Sequence, residues 1–452
     1  MASQPESTPQ AGAAATADPR ALLRSRGYRR LLVIAALLGV LVSIACWGFL
    51  ELIHSLQQWV YMDLPSTLGF DTLPWWWPVP VLAIAGALIG FAIARLPGSG
   101  GHEPSEGLKT GTPTAPIELP GMLIAAVASI ALGMVLGPEG PLIALGTGLT
   151  LLVVGLARKD VPDQARLVLV AASGFAALAT IFGSPVVGAV IIVEAAGLGG
   201  PTLPLILLPG LIAAGVGSLV FVGVGSLTGL STASYAISPL SLPAYPQPTF
   251  GDFAWTIALA VVAAVVAFLI VEAGRRTEVF VAKRRVVFSV LAALAVAVLA
   301  IAFAQITGQS SLAVLFSGQE ALSPVVSEAF TLGVLALLLV CKAAAWAISL
   351  GSARGGPTFP AIFLGVVGGL LAAHLPGFAE TPAVGVLVGA AIVSVLRLPL
   401  SAVVIALLLT RGGAAVAPLV IVGVAVAYIA TQLLDARRGT NGAAAAAPAD
   451  AG

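Results

Sequence analysis

The sequence predicts an all-α polytopic membrane protein whose helices are repeatedly broken. Composition is the first reason. Of 452 residues, 59% are hydrophobic and 9% are charged, against about 25% charged in soluble domains. Run length is the second. Apolar runs of roughly 18 or more residues recur between Leu31 and Leu434, each long enough to cross a bilayer. The runs are continuous and not alternating, so they read as helices, not barrel strands. The third is punctuation. The chain carries 51 Gly and 31 Pro, many for plain helices and suited to segments broken around a polar cavity. A net charge of +1 points to no nucleic-acid partner. Cys46 and Cys341 lie far apart in apolar runs and give no disulfide framework or metal site. His54, His102 and His374 have no ligand spacing, and nothing implies a cofactor.

Taken in order, residues 1–27 read as a disordered cytoplasmic tail, 28–435 as the membrane transport domain and 436–452 as a second disordered tail. Within the domain, halves of about 28–230 and 248–435 are expected. Arg20, Arg24, Arg26, Arg29 and Arg30 precede the first apolar run and place the N-terminus in the cytoplasm. That run reaches about Val60, long enough to span at a tilt. Trp75, Trp76 and Trp77 mark the outer interface ahead of a span over 78–94. Shorter apolar segments follow at 117–136, 141–156, 163–181 and 184–195, several too short to cross alone. A span over 201–224 precedes a polar linker at 225–251. The second half predicts spans at 253–273, 286–306, 328–349, 360–373, 383–396, 399–410 and 415–434. A basic loop with Arg275, Arg276, Lys283, Arg284 and Arg285 lies among them. Arg158, Lys159 and Arg166 form another basic cluster. If all the basic clusters face the cytoplasm, both termini do too.

The chain is organised around Gly137-Pro138-Glu139-Gly140-Pro141. A carboxylate at membrane depth is costly without a partner or a task. Gly137 and Gly140 allow close backbone approach. Pro138 and Pro141 suit a break and the first turn of a new helix. Such a start aims free N–H groups and a positive dipole end at whatever fills the gap, an anion-binding design with Glu139 as a tethered anion. A glutamate here can also simply cap its own helix. Breaks at 98–101 and at Gly355-Gly356-Pro357-Thr358-Phe359-Pro360 echo it. Broken helices in both halves are typical of inverted-repeat transport proteins, though no residue-level repeat is evident.

These residues resemble the CLC chloride channels and chloride/proton exchangers over about 29–435. The family writes its anion pathway as GSGIP, GKEGP or GREGP, and GxFxP. Here Gly98-Ser99-Gly100-Gly101-His102, Gly137-Pro138-Glu139-Gly140-Pro141 and Gly356-Pro357-Thr358-Phe359-Pro360 stand in that order. Phe182-Gly183-Ser184-Pro185 and Arg397-Leu398-Pro399-Leu400-Ser401 look like further family segments. The resemblance implies a CLC-like inverted repeat of tilted, broken and re-entrant helices. It also implies a homodimer in a plasma membrane, with one anion pathway per subunit. Carried over by residue, Glu139 would gate. The Ser99 hydroxyl would meet the central anion, with Gly100, Gly137, Gly140, Thr358 and Phe359 completing the anion site. Such neutral donors bind weakly, as fast passage requires.

Departures from the pattern decide the expected mechanism. By ungapped alignment Pro357 replaces a residue whose N–H faces the anion, and proline has none. Thr358 is expected to compensate with its own N–H or hydroxyl. The exchangers' inner proton glutamate aligns with Ala195, and Glu194 is its neighbour. Because the last apolar run ends near Leu434, no counterpart is expected for the family's last helix with its tyrosine, and Tyr428 does not match. The nucleotide-binding domains that some members carry are likewise not expected. The first reading is therefore passive, channel-like conduction of chloride gated by Glu139. The alternative is a chloride or fluoride/proton antiporter with a non-standard inner proton route through Glu194, His102 or water. Arg354 and Arg397 are expected at the inner mouth, as anion attractors or interfacial anchors. Lys342 is expected to have a structural role, and Glu103 to cap or pair at the short helix. An enzyme is not indicated, because no nucleophile and base pair up at membrane depth.

Overall fold

The structure is a computed structural model that describes residues 24–108, 113–157, 161–200, 203–228, 237–328 and 330–446. The expectations for residues 1–23, Arg158, Lys159 and 447–452 lie outside the described residues. In chain order the helices are α1 (Arg26–Gln58), α2 (Pro78–Arg95), α3 (Leu119–Ala131), α4 (Glu139–Ala157), α5 (Asp163–Phe182), α6 (Pro185–Ala195) and α7 (Leu203–Thr228). The second half adds α8 (Phe250–Ala282), α9 (Arg285–Thr307), α10 (Leu332–Ser352), α11 (Thr358–Ala372), α12 (Glu380–Leu396), α13 (Pro399–Thr410) and α14 (Gly413–Ala446). Among the described residues, 9 helices are long and apolar enough to cross a membrane. The others are short. At about 1.5 Å per residue, the 11-residue α6 reaches roughly 16 Å, about half of a ~30 Å hydrocarbon core.

Local signals set the boundaries. Ser184 starts α6, its hydroxyl accepting from the Val187 N–H, and Pro185 takes the first turn. Thr249 and Asp252 form a reciprocal cap on α8. Gly183 ends α5 in the left-handed conformation. Close helix approach uses missing side chains: a Cβ at Gly86 of α2 would come within 2.6 Å of the Ser289 carbonyl oxygen in α9. Gly90 meets Val286 one turn on, the small-xxx-small pattern of membrane helix pairs. That contact locks a first-half helix to a second-half helix.

Three expectations need correcting. The basic loop is largely helix: Arg275 and Arg276 lie within α8, and only Lys283 and Arg284 separate α8 from α9. Apolar residues continue to Val281, so hydrogen-bonded turns carry past the charges. The linker is shorter than predicted, since α7 runs to Thr228 and α8 starts at Phe250. The C-terminal tail expected from 436 is helix as far as Ala446, because the alanine-rich stretch continues α14.

Candidate functional site

The site forms where the two halves meet, and the pairing follows a two-fold pattern. Gly137 and Gly356 face each other in an antiparallel bridge. The Gly137 N–H donates to the Gly356 carbonyl at 2.8 Å, and the Gly356 N–H to the Gly137 carbonyl at 2.6 Å. Upstream the exchange repeats with serines. The Val135 N–H donates to the Ser349 hydroxyl at 3.0 Å, and the Arg354 N–H to the Ser129 hydroxyl at 3.0 Å. Each serine donates in turn to the carbonyl four residues back, Ala125 and Ala345. This is a residue-level inverted repeat. Sequence reading missed it because two serines seven or eight residues ahead of a glycine carry no signal until the halves are superposed.

Two residues beyond each bridging glycine stand Glu139 and Thr358. Glu139 opens α4 and Thr358 opens α11, so both helix N-termini point at one spot. The Thr358 N–H donates to Glu139 Oε1 at 2.5 Å. Both residues are buried, with Glu139 at 0% exposure. Glu139 Oε2 and Thr358 Oγ1 have no hydrogen-bond partner. A carboxylate at a helix N-terminus is favoured by the dipole and by free N–H groups, while an orphan buried oxygen is costly. The carboxyl is thus bonded through Oε1, with the Thr358 hydroxyl and the Phe359 N–H also facing it. Gly356 must be glycine, since a Cβ there would fall on the Glu139 carboxyl. Phe359 stacks on Phe182, ring centroids 5.8 Å apart, which brings the Phe182-Gly183-Ser184-Pro185 segment to the same place. Pro357 caps α11, and the Thr358 N–H supplies the donor that proline lacks.

The first break joins through an arginine. Gly98, Ser99, Gly100 and Gly101 all have positive φ, which explains the three glycines there. Arg354 Nε donates to the Ser99 carbonyl at 3.3 Å, and its Nη2 lies 3.6 Å from Glu103 Oε1. Arg354 is buried at 3% exposure, so it is not an interfacial anchor, and it lines a small cavity together with Gly100, Gly140 and Gly356. Burial is tolerated because the guanidinium is paired and hydrogen-bonded. Ser99 itself is exposed, while Gly100 and Gly140 line a cavity of about 30 Å³ shared with Gly356 and Pro357. A second cavity, of about 380 Å³, reaches Pro138 and is lined by His54, Gln57, Tyr61, Ser317 and Glu320. Tyr61, unflagged by the sequence, donates its hydroxyl to the Leu132 carbonyl at 2.8 Å.

The other polar residues are accounted for locally. Lys342 is fully buried and donates to the carbonyls of Ala313, Val314 and Leu315 at 3.0, 3.2 and 2.9 Å. Its ammonium lies 4.4 Å from the Phe363 ring centre. Arg397 pairs with Asp435 at 2.7 Å, tying the start of α13 to α14. Glu194 accepts from the Leu400 N–H, the Ser401 N–H and the Ser401 hydroxyl at 2.7, 2.7 and 2.6 Å.

A membrane bundle whose two inverted halves aim helix N-termini at one buried carboxylate is built as an anion transporter. The family described as "Voltage gated chloride channel" matches residues 85–432, and the chain belongs to that family, the CLC proteins. YfeO of Escherichia coli O7:K1, whose name assigns it ion transport provisionally, is 27% identical over 360 residues, covering 78% of this chain and 81% of YfeO. YfeO of Escherichia fergusonii gives the same figures. A slow cyanobacterial Cl−/H+ antiporter superposes with a TM-score of 0.74 at 20% identity, over 90% of this chain and 95% of its own. A CLC-type fluoride/proton antiporter gives 0.68 at 16%, over 90% and 96%. At these identities the likeness establishes a common fold.

Proposed function

We propose that the protein exchanges a small anion, chloride in the first instance, for protons across a plasma membrane. Glu139 is the group that anion and proton displace in turn. One observation carries this reading: the Glu139 carboxyl occupies the N-terminus of α11 with Oε1 on the Thr358 N–H, while Oε2 lacks a partner. Ionised, it is a stand-in anion at that helix end. Protonated on Oε2, it loses its hold there and yields the place to a halide. The Gly100, Gly137, Gly140, Thr358 and Phe359 backbone and the Ser99 hydroxyl then serve the anion along the path. The reading of passive conduction began from Ala195. Two solved structures with this fold are named as proton antiporters, which favours the alternative. Glu194, with its carboxylate engaged by the first turn of α13, reads as a clamp and not as a proton carrier. Arg26, Arg29 and Arg30 at the start of α1 support cytoplasmic termini. The homodimer is carried over from the family resemblance.

The test uses purified protein in liposomes with a chloride gradient and the voltage clamped near zero by a potassium ionophore. Wild type is expected to drive protons uphill as chloride moves. Glu139→Gln is expected to carry chloride with no proton movement and no dependence on external pH. Chloride flux without proton flux in wild type would return the protein to passive conduction. An unaltered Glu139→Gln would remove Glu139 from the gate.

A further inference from the structure

The cavity of about 30 Å³ has a wall that favours an anion and a shortage of donors to hold one. Gly140 and Pro141, in the first turn of α4, form one side. Gly356 and Pro357, which lead into α11, form another, and Gly100 of the first break closes it. Two helix N-termini thus border a space of about one water molecule's volume, where negative charge is favoured. The backbone donors on the second-half side are taken or absent. The Gly356 N–H donates to the Gly137 carbonyl, the Thr358 N–H donates to Glu139, and Pro357 has no N–H. Ser99, whose hydroxyl was expected to meet the anion, is exposed and stands outside this wall.

Arg354 borders the same cavity and is buried. A guanidinium carries five N–H groups and keeps its charge in a protein. Nε donates to the Ser99 carbonyl at 3.3 Å and Nη1 to the Ala353 carbonyl at 3.1 Å. Nη2 lies 3.6 Å from Glu103 Oε1, beyond hydrogen-bond distance. The fork is therefore fixed at both edges and keeps donors to spare on both Nη atoms. Gly100 leaves it room, since a Cβ there would come within 3.4 Å of Arg354 Cγ. Glu103 also borders the cavity. A buried charge whose carboxylate partner stands beyond bonding distance is an incomplete pair, and a halide in the cavity completes it.

We infer that Arg354 is the charged donor of an anion site in this cavity, where a single halide ion takes an Nη N–H in place of the donor that Pro357 lacks. The halide and the Glu103 carboxylate then compete for one guanidinium. A charged donor holds the ion more strongly than neutral ones, which slows its release and sets the affinity of the path. The inference rests on the anion path of the exchanger reading above, and the experiment separates the two.

Chloride is titrated into purified protein in detergent, in chloride-free gluconate buffer at neutral pH, and the dissociation constant is read by calorimetry. Chloride and proton fluxes of the same proteins are recorded in liposomes. Arg354→Gln is expected to weaken chloride binding roughly tenfold. Arg354→Lys, which keeps the charge without the fork, is expected to weaken it less. Glu103→Gln removes the competitor and leaves Arg354 in place, so it is expected to tighten binding about threefold. The opposite signs separate a donor from a brace, because an arginine that only ties the first break to the second half gains nothing from the loss of Glu103. Equal affinities in wild type, Arg354→Gln and Glu103→Gln, or weaker binding in Glu103→Gln, would overturn the inference. Glu103→Gln decides it alone if Arg354→Gln fails to fold. A wild type that binds no chloride would overturn it as well. A wild type that exchanges chloride for protons while all affinities agree would remove Arg354 and keep the exchanger. A wild type that carries chloride without protons would end the exchanger reading, and the opposed affinities would still establish Arg354.

Discussion

The two arms that meet at the Gly137–Gly356 bridge match position by position and then part. Ser129 and Ser349 do the same work, each accepting one backbone N–H from the other half. Gly137 and Gly356 exchange both backbone bonds. Two residues later the match ends: one arm offers a carboxylate, the other an N–H and a hydroxyl. The lesson is a division of labour. Where the arms are alike, the two serines and the two glycines are all paired and the junction is scaffold. Where they differ, two buried polar atoms are left over, and there the junction has work to do. Lys342 confirms the contrast from elsewhere, for its buried charge meets three carbonyls and a ring face.

Making the arms alike should give the largest effect. Glu139→Thr is expected to abolish proton coupling, a loss of at least tenfold in liposome flux. Its unfolding temperature in detergent should stay within a few degrees of wild type, since removing a carboxylate left half-paired in the interior is not costly. Persistent coupling would show that the difference between the arms is not where the chemistry lies. Next come the matched serines. Ser129→Ala leaves the Arg354 N–H without a partner, and Ser349→Ala leaves the Val135 N–H likewise. Each should cost about 1–3 kcal/mol in denaturant unfolding, and the two costs should agree. A large inequality would break the symmetry argument. The smallest effect is expected of Thr358→Val, which keeps the N–H to Glu139 and removes the hydroxyl alone. One hydrogen bond of about 1 kcal/mol corresponds to a roughly fivefold shift in selectivity among chloride, bromide and nitrate. Unchanged selectivity would take the hydroxyl out of the anion path.

Much of this was readable along the chain. Glu139 stood out because a charge flanked by Gly and Pro inside apolar runs is rare for a physical reason. Thr358 was readable once Pro357 was seen to lack a donor. Arg354 was expected near the inner mouth, and its burial was not readable along the chain because the partners that bury it, Ser99, Ser129 and Glu103, lie more than two hundred residues upstream. The extent of α14 was misjudged for the opposite reason, since alanine continues a helix as readily as it fills a tail.

By itself the sequence determined the spans, the short helices and the positions of the breaks. Those depend on hydropathy and on Gly and Pro within one segment, and a bilayer turns them directly into structure. Only the tertiary structure decided which break faces which and that Gly137 pairs with Gly356. It alone brought the Arg354 guanidinium onto the Ser99 carbonyl and Glu103. These are contacts between segments far apart in the chain. Their geometry is fixed by how the two halves pack, and no local pattern of residues encodes it.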